Sequence, residues 1–503
     1  MMEIELQLLM EPAHNEALLA HPLIAAHARG PARSDDLTAH YFDTPSLHLL
    51  RHRAGLRVRR MDGVWIQTLK ARGSMQSGLH QQHEWETPVL RAWPQLGKLR
   101  KAMDAKQRDM LDQPGLKNDL EVLFTVAVQR TRWDIDFEGS QIELALDCGH
   151  IEREGRQLPV NEVELELKAG TPASLFAFAL RLLDDIPLRL SYTNKAMRGY
   201  ALCHDSGIGI GIVKAAPVEL PHGASTAQAL VAILSNCLQQ IQGNEAGVTG
   251  SDDPESVHQL RVGVRRLRSA LKLFGDLLPC PPALLDDIEW LGGALGAARD
   301  WEVLRDTTLP RVPEDEGTGQ PLLRALVEQT ARTQRDQAAQ ALLSPRYTRL
   351  QLALALWMQQ TSASDDAAHC APASRFAHRA MRELHKKMLR RAEKAAGGEE
   401  RAVHRLRIAG KRVRYALEFF ASLYQRGSST RYLAALTEMQ DVLGRHNDVM
   451  VADRLLRELL QQHPDAANAI HFARGYLLGQ AANGAAIDDF RQLSDASHLP
   501  RRA

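Results

Sequence analysis

Six short stretches in the first two hundred residues alternate charged with apolar side chains, which restricts them to β-strands lying between two different environments. They are Glu3-Ile4-Glu5-Leu6-Gln7, Leu56-Arg57-Val58-Arg59, the segment ending Thr68-Leu69-Lys70, Gln129-Arg130-Thr131-Arg132, Glu143-Leu144-Ala145-Leu146-Asp147 and Glu162-Val163-Glu164-Leu165-Glu166. Residues two apart on a strand share a face. Each segment therefore lines up like charges on one side and apolar groups on the other. Acidic and basic residues form whole rows instead of mixed surface pairs, which suits a closed sheet with a charged interior. Carboxylates in such a lumen would hold a divalent cation, and guanidinium and ammonium groups a polyanion. The pattern predicts metal-assisted chemistry on a phosphate chain.

With 503 residues, two or three domains are expected. The net charge of +1 says nothing about partners, but its distribution does: Arg375 to Arg414 carries 14 Lys/Arg against 4 Asp/Glu. Cys148, Cys203, Cys237, Cys280 and Cys370 are dispersed with no CxxC spacing, which argues against a disulfide framework or zinc site and for a reducing compartment. The N-terminus runs directly into a charged strand pattern, and no apolar run approaches the roughly 18 residues of a membrane span. A soluble cytoplasmic protein without membrane association is expected.

Residues 1–205 mix strands with turn signals such as Asp62-Gly63 and Glu138-Gly139-Ser140, the latter predicting a hairpin. A helical stretch falls around Thr171 to Asp185. Residues 206–217 read as a linker. The run Ser206-Gly207-Ile208-Gly209-Ile210-Gly211 lacks the glycine spacing of a dinucleotide loop, and Pro217 follows where that motif needs a helix. Residues 218–495 are helical throughout and contain two repeats, about 225–310 and 373–460. Val257-His258-Gln259-Leu260-Arg261 through Phe274 matches Val403-His404-Arg405-Leu406-Arg407 through Phe420 at an offset of 146. Pro254-Glu255 and Glu399-Glu400 mark the helix starts.

His258, Arg261, Arg265 and Arg268 fall on one helical stripe, and His404, Arg407, Lys411 and Arg414 repeat it. The apolar residues Val257, Leu260, Val264, Leu267 and Leu271 form a second stripe facing a core. Stacked cations repel unless an anion binds between them, so each stripe predicts a polyanion site. Nucleic-acid readers usually interleave aromatics, and the stripes have none, which favours inorganic polyphosphate over nucleic acid. Both histidines belong to basic rows, not carboxylate clusters, and are not expected to hold metal. Asp300 and Asp448 are expected to pair with the basic rows. His14, His21, His27 and His40 lack ligand spacing, and Trp65, Trp85, Trp93 and Trp133 read as packing residues.

These motifs resemble a known combination. Glu3, Glu5 and Gln7 correspond to an ExExK strand, followed by Tyr41-Phe42-Asp43-Thr44-Pro45, Gly55-Leu56-Arg57-Val58-Arg59, Thr68-Leu69-Lys70, Arg130 with Arg132, Glu143 with Asp147, Glu164 with Glu166, and Ser191 with Lys195. In that order they are similar to a CYTH domain of the triphosphate tunnel metalloenzyme family, and residues 218–495 are similar to a CHAD domain. The resemblance implies an α+β chain: an eight-stranded antiparallel β tunnel, then an all-α bundle. It implies that Arg57, Arg59, Lys70, Arg130, Arg132 and Lys195 clamp a triphosphate. Glu3, Glu5, Glu143, Asp147, Glu164 and Glu166 would hold Mg²⁺ or Mn²⁺, with Glu3, Glu5 and Lys70 central to catalysis. The implied reaction is hydrolysis of inorganic triphosphate to diphosphate and phosphate, with polyphosphate bound by the helical part. A class IV-type adenylate cyclase, or a non-catalytic polyphosphate-binding protein associated with granules, are the alternatives. Two positions depart from the family: its strand-one lysine is Gln7, and a second basic position is Gln82.

Overall fold

The computed structural model describes residues 2–484, apart from 62, 77, 105–106, 204–210, 315–318, 365 and 396–398. Asp62 of the first turn signal, most of the glycine-containing run from Ser206, and the expected last stretch of helix to 495 lie outside the described residues. The chain divides into two compact units, Met1–Ile210 with Leu343–Gln359, and Gly211–Leu342 with Gln360–Ala503.

The first unit is built on β1 (Met2–Met10), β2 (Arg33–Asp43), β3 (Ala54–Met61), β4 (Val64–Gln76), β5 (Leu79–Val89), β6 (Glu121–Phe137), β7 (Ser140–Arg153), β8 (Arg156–Ala169) and β9 (Leu188–Leu190). Their order is β5-β4-β3-β2-β6-β7-β8-β1-β9, and an added β5–β1 pairing closes the sheet. One edge of β1 is shared: Met2–Leu6 pairs with β5, and Leu8–Met10 with the short β9. The expected eight-stranded antiparallel barrel is therefore present, with β9 as an addition. Closure leaves no open edge along the eight strands. Its tight turns follow the predicted chemistry. Glu138-Gly139 and Glu154-Gly155 each place two residues at positive φ between paired strands, the form that matches strand twist in two-residue hairpins.

The barrel is apolar outside and charged inside. Leu6, Leu8, Leu144, Leu146, Val163 and Leu165 point outward and pack with Leu175, Phe176, Phe178 and Leu182 of the helix Ala173–Leu183. Around the wall, Leu56, Val58, Leu69 and Trp85 lie under Leu96, Leu99, Met103 and Met110. Each large apolar side chain buried this way stabilises by roughly 1.5–3 kcal/mol, so the core surrounds the sheet and leaves its lumen free for charge. Trp85 and Trp133 are buried packing residues, as expected.

In the second unit, helices Thr226–Gln242, Pro254–Phe274 and Pro282–Val303 form one repeat, and Ala373–Ala395, Glu400–Phe419 and Arg426–Gln462 the other. The repeats meet reciprocally. Thr226 N donates to Ala371 O and Ala373 N to Ala224 O, both at 2.8–2.9 Å, and Phe274 and Phe420 share a ring cluster with Phe376. Val257, Leu260, Val264, Leu267 and Leu271 are all buried, so the apolar stripe faces the core as predicted. Among the described residues, no helix is long and apolar enough to cross a membrane.

Candidate active site

The lumen of the barrel is a cavity of about 820 Å³. Because its lining comes from every second residue of each strand, the six patterned segments converge on it. Glu3 and Glu5 enter from β1, Arg57 and Arg59 from β3, Lys70 from β4, Arg130 and Arg132 from β6, Glu143 from β7, and Glu164 and Glu166 from β8. Lys195, the first residue of the helix Lys195–Ala201, also lines it. Asp147 does not: it is fully buried behind Lys195 and Arg130.

The charges interdigitate, which corrects the expectation of separate rows. Lys70 Nζ lies 2.6 Å from Glu3 and 3.8 Å from Glu84, Arg57 is 3.7 Å from Glu84, Arg59 is 3.3 Å from Glu86, and Arg132 is 2.8 Å from Asp35. Glu166 pairs with Lys168 at 2.7 Å. Glu84, Glu86 and Asp35 were missed in the sequence because β5 is polar on both faces (Gln81, His83 and Thr87 alternate with Gln82, Glu84 and Glu86), which hides its parity.

Electrostatics follow from this crowding in a low-dielectric lumen. Burial pushes Glu5 up to about 8, with Glu164 and Glu3 adding to the rise and Lys70 opposing it. Burial works against the Lys70 ammonium, yet Glu5 and Glu3 together raise its pKa. The adjacent Arg57, and then burial, push Arg59 down to about 10, an unusual value for a guanidinium. These two arginines repel one another without an anion between them.

Gln7 and Gln82 occupy the acidic side of the lumen. Gln7 Nε2 donates to Glu5 at 2.9 Å and to Glu164 at 3.5 Å, and Gln82 Nε2 donates to Glu5 at 3.4 Å and Glu3 at 3.5 Å. Neutral amide donors thus stand where cations would compensate these carboxylates, consistent with the high pKa of Glu5.

Below the lumen lies a denser network. Asp147, Glu162 and Glu164 bring carboxylate oxygens within 4.8 Å of one another. Lys195 Nζ touches all three, at 2.6 Å from Asp147, 2.7 Å from Glu164 and closer still to Glu162. Arg130 makes a two-pronged bond to Asp147 at 2.7 and 2.6 Å and reaches Glu164 at 2.5 Å, while Arg198 holds Glu162 at 2.9 Å. Burial would raise Asp147 and Glu164, but Lys195 and Arg130 hold both below the ordinary carboxylate range. Glu162, by contrast, is raised by burial despite Lys195. Three clustered carboxylates with an ammonium at their centre fit a cation, and their hard oxygens suit Mg²⁺ or Mn²⁺. Glu162 and Arg198 were not among the sequence candidates; strand parity placed Glu162 on the same face as Glu164, and that signal was available.

The helix carrying Lys195 is fixed by the Tyr41–Pro45 motif. Buried Asp43 accepts from the backbone N–H groups of Thr44, Leu49 and Leu50 at 2.7–2.9 Å and from Tyr200 Oη at 3.1 Å. Gly199 lies against the Phe124 ring, where an added Cβ would come within 2.1–2.5 Å of ring carbons. Gly199→Ala is therefore expected to lower stability by about 1–3 kcal/mol, the usual range for overpacking. Urea unfolding with an unchanged slope checks it; a loss below ~0.5 kcal/mol would mean the helix shifts freely.

In the helical unit both basic stripes are present, and they face one another. Arg265, Arg407 and Lys411 make no side-chain hydrogen bond or ion pair among the described residues, although each lies in the field of the others. Asp300 pairs with Arg261 at 3.2 Å, and Asp448 lies near Arg407, as expected for both acids. Arg268 and Arg414 are engaged by Glu289 and Glu418. His258 is half-buried and His404 exposed. Arg266, unlike its stripe neighbours, is buried, bonded to Gln240 and Asn236 and seated over the Phe419 ring.

Residues 1–200 match the model of the CYTH domain, and residues 232–457 that of the CHAD domain. A Haemophilus influenzae protein named inorganic triphosphatase is 33% identical over 163 residues, which span 32% of this chain and 44% of that relative. An uncharacterized Mycobacterium tuberculosis protein is 27% identical over 490 residues, 90% of this chain and 87% of the relative. The crystal structure of the CHAD domain from Ricinus communis shares 50% identity at a TM-score of 0.55, all of it covered by 59% of this chain.

Proposed function

This chain belongs to the CYTH family through its barrel and to the CHAD family through its helical unit, and on that premise we propose that the barrel hydrolyses inorganic triphosphate to diphosphate and phosphate with a divalent metal ion. The observation that carries the reading is the convergence of carboxylates and cations on one cavity of about 820 Å³. The named activity of the Haemophilus influenzae relative, at 33% identity, supports it. Arg57 and Arg59 would grip phosphate oxygens, since planar guanidinium forks suit them, and Lys70, Arg130, Arg132 and Lys195 would add charge from neighbouring strands. Glu3, Glu5, Glu143, Glu164 and Glu166 face the lumen where Mg²⁺ or Mn²⁺ would be held, and Asp147 lies beneath it. A bound ion would neutralise charge on the transferred phosphoryl group and lower the pKa of an attacking water. Catalysis is otherwise positioning and fixed charge, the usual division in phosphoryl transfer. Phosphate release from triphosphate with Mg²⁺ or Mn²⁺ tests the reading; release no greater than that of a Glu3→Ala, Glu5→Ala variant would sink it. With ATP, cyclic AMP as product would point to a cyclase instead.

The helical unit is proposed to bind inorganic polyphosphate through Arg265, Arg407 and Lys411, flanked by His258, Arg261, Arg268, His404 and Arg414. Such a surface would also bring the enzyme to polyphosphate granules in the cytoplasm.

A second reading, a tunnel that binds without hydrolysing, is favoured by Gln7. Gln7→Lys would set an ammonium between Glu5 and Glu164 and add one well-placed charge. We expect turnover to rise about 10²-fold. An unchanged rate would show that the amide suffices.

A further inference from the structure

Asp147 and Glu162 are fully buried and do not line the cavity, whereas Lys195 and Glu164 do. The Lys195 ammonium therefore stands between the lumen and two of the three clustered carboxylates. It takes one oxygen from each: Asp147 Oδ2, Glu162 Oε1 and Glu164 Oε1. The arginines are placed differently. Arg130 spans Asp147 and the other oxygen of Glu164, and Arg198 takes the other oxygen of Glu162 and the Pro159 carbonyl. Both forks lie around the cluster, and only the ammonium lies within it.

We propose that Lys195 is an exchangeable cation: a divalent ion entering the Asp147–Glu162–Glu164 cluster displaces its ammonium, which then turns into the cavity and meets the phosphate chain. The inference rests on the metal-dependent reading above and assigns the order of events within it. Three features support it. Lysine carries a compact charge on a flexible stem, so it can change partners where a fixed guanidinium fork cannot. It begins a helix, at the end where backbone N–H groups disfavour a cation, so the carboxylates alone hold it there. Charge then dictates sequence. Asp147, Glu162 and Glu164 against Arg130, Lys195 and Arg198 sum to zero, so the site offers a polyanion little before the ion arrives. With a divalent ion added and nothing lost, the sum becomes +2, and a free ammonium faces the lumen.

Lys195→Met is the first test, in the full chain. Mn²⁺ titration followed by electron paramagnetic resonance, without phosphate, should show about tenfold tighter binding, because the competing cation is gone. The KM for triphosphate should rise at the same time. A lysine that only binds substrate would raise KM and leave Mn²⁺ affinity unchanged, and a purely structural one would weaken both; either result overturns the exchange. Removing Lys195 could unfold the network, so the wild-type protein provides a second test. Acetylation of Lys195 by an N-hydroxysuccinimide ester, followed by mass spectrometry, should speed up several-fold on adding Mn²⁺ relative to Lys98, an exposed-site lysine. Labelling insensitive to Mn²⁺ would overturn the proposal even in an active enzyme. Mn²⁺-driven labelling without triphosphate turnover would sink the hydrolase reading and leave the exchange standing.

Discussion

Replacing Arg57 and Arg59 together with alanine is expected to slow phosphate release from triphosphate about 10³-fold, with unfolding free energy staying within ~1 kcal/mol of wild type. The two effects separate because these arginines oppose each other in the empty tunnel. Arg57 is the largest cause of the fall in Arg59 to about 10, so removing the pair relieves repulsion. Their partners are not stranded: Glu84 keeps Lys70 at 3.8 Å, and Glu86 keeps the Thr68 hydroxyl at 2.8 Å. With substrate present the balance reverses, since a phosphate between two guanidinium groups removes their repulsion and takes bidentate bonds from each. Losing one such contact costs about 10²–10³ in rate, and two groups gripping the same phosphate are not additive. A loss below tenfold would mean that the triphosphate lies elsewhere in the cavity. A loss accompanied by unfolding would mean that the pair is structural.

The lumen was legible in the sequence wherever one strand alternated cleanly. Glu3 and Glu5, Arg57 and Arg59, Arg130 and Arg132, and Glu164 and Glu166 could be assigned to one face from a period of two, and closing the sheet brought those faces together. What alternation cannot supply is which strands become neighbours. Lys70 meets Glu3 because β5 closes onto β1, a pairing set by barrel topology and absent from any local pattern. The same blindness produced the expectation of segregated rows: Arg130 sits directly across from Asp147 in the β6–β7 register. Depth was also invisible. Asp147 and Glu164 read alike as lumen carboxylates, yet one is sealed beneath Lys195 and the other borders the cavity. In the helices, a period of 3.6 located the stripes and their buried faces, but Arg266 lay inside a run of arginines with nothing to mark it as a core residue. Its partners, Gln240, Asn236 and Phe419, come from helices distant in sequence.

Polyphosphate binding by the helical unit is expected to weaken as pH rises above about 7, approaching tenfold per pH unit for a single linked proton. The group responsible is Lys411. Burial first, then Arg265, Arg407, Arg261 and Arg414, push its ammonium down to about 7. Asp448 and Asp300 also face this cluster but do not hold Lys411 in its charged form. Free protein at pH 7 therefore carries about half a charge there, and a polyanion would restore the rest by drawing in a proton. The sign of the stability effect is opposite. Between about 7 and the ordinary lysine range, the unfolded chain keeps a proton that the folded one has released, so the free unit gains stability with rising pH while the complex loses affinity. Lys411→Met should flatten the affinity profile over this window, and adding Arg265→Ala and Arg407→Ala should remove binding by about 10³-fold or more, at roughly 1.5–3 kcal/mol for each charged contact. Calorimetric titration with polyphosphate in two buffers of different ionisation enthalpy measures the proton directly. Zero proton uptake near neutral pH, or an affinity that rises between pH 7 and 9, would place the bound chain away from Lys411.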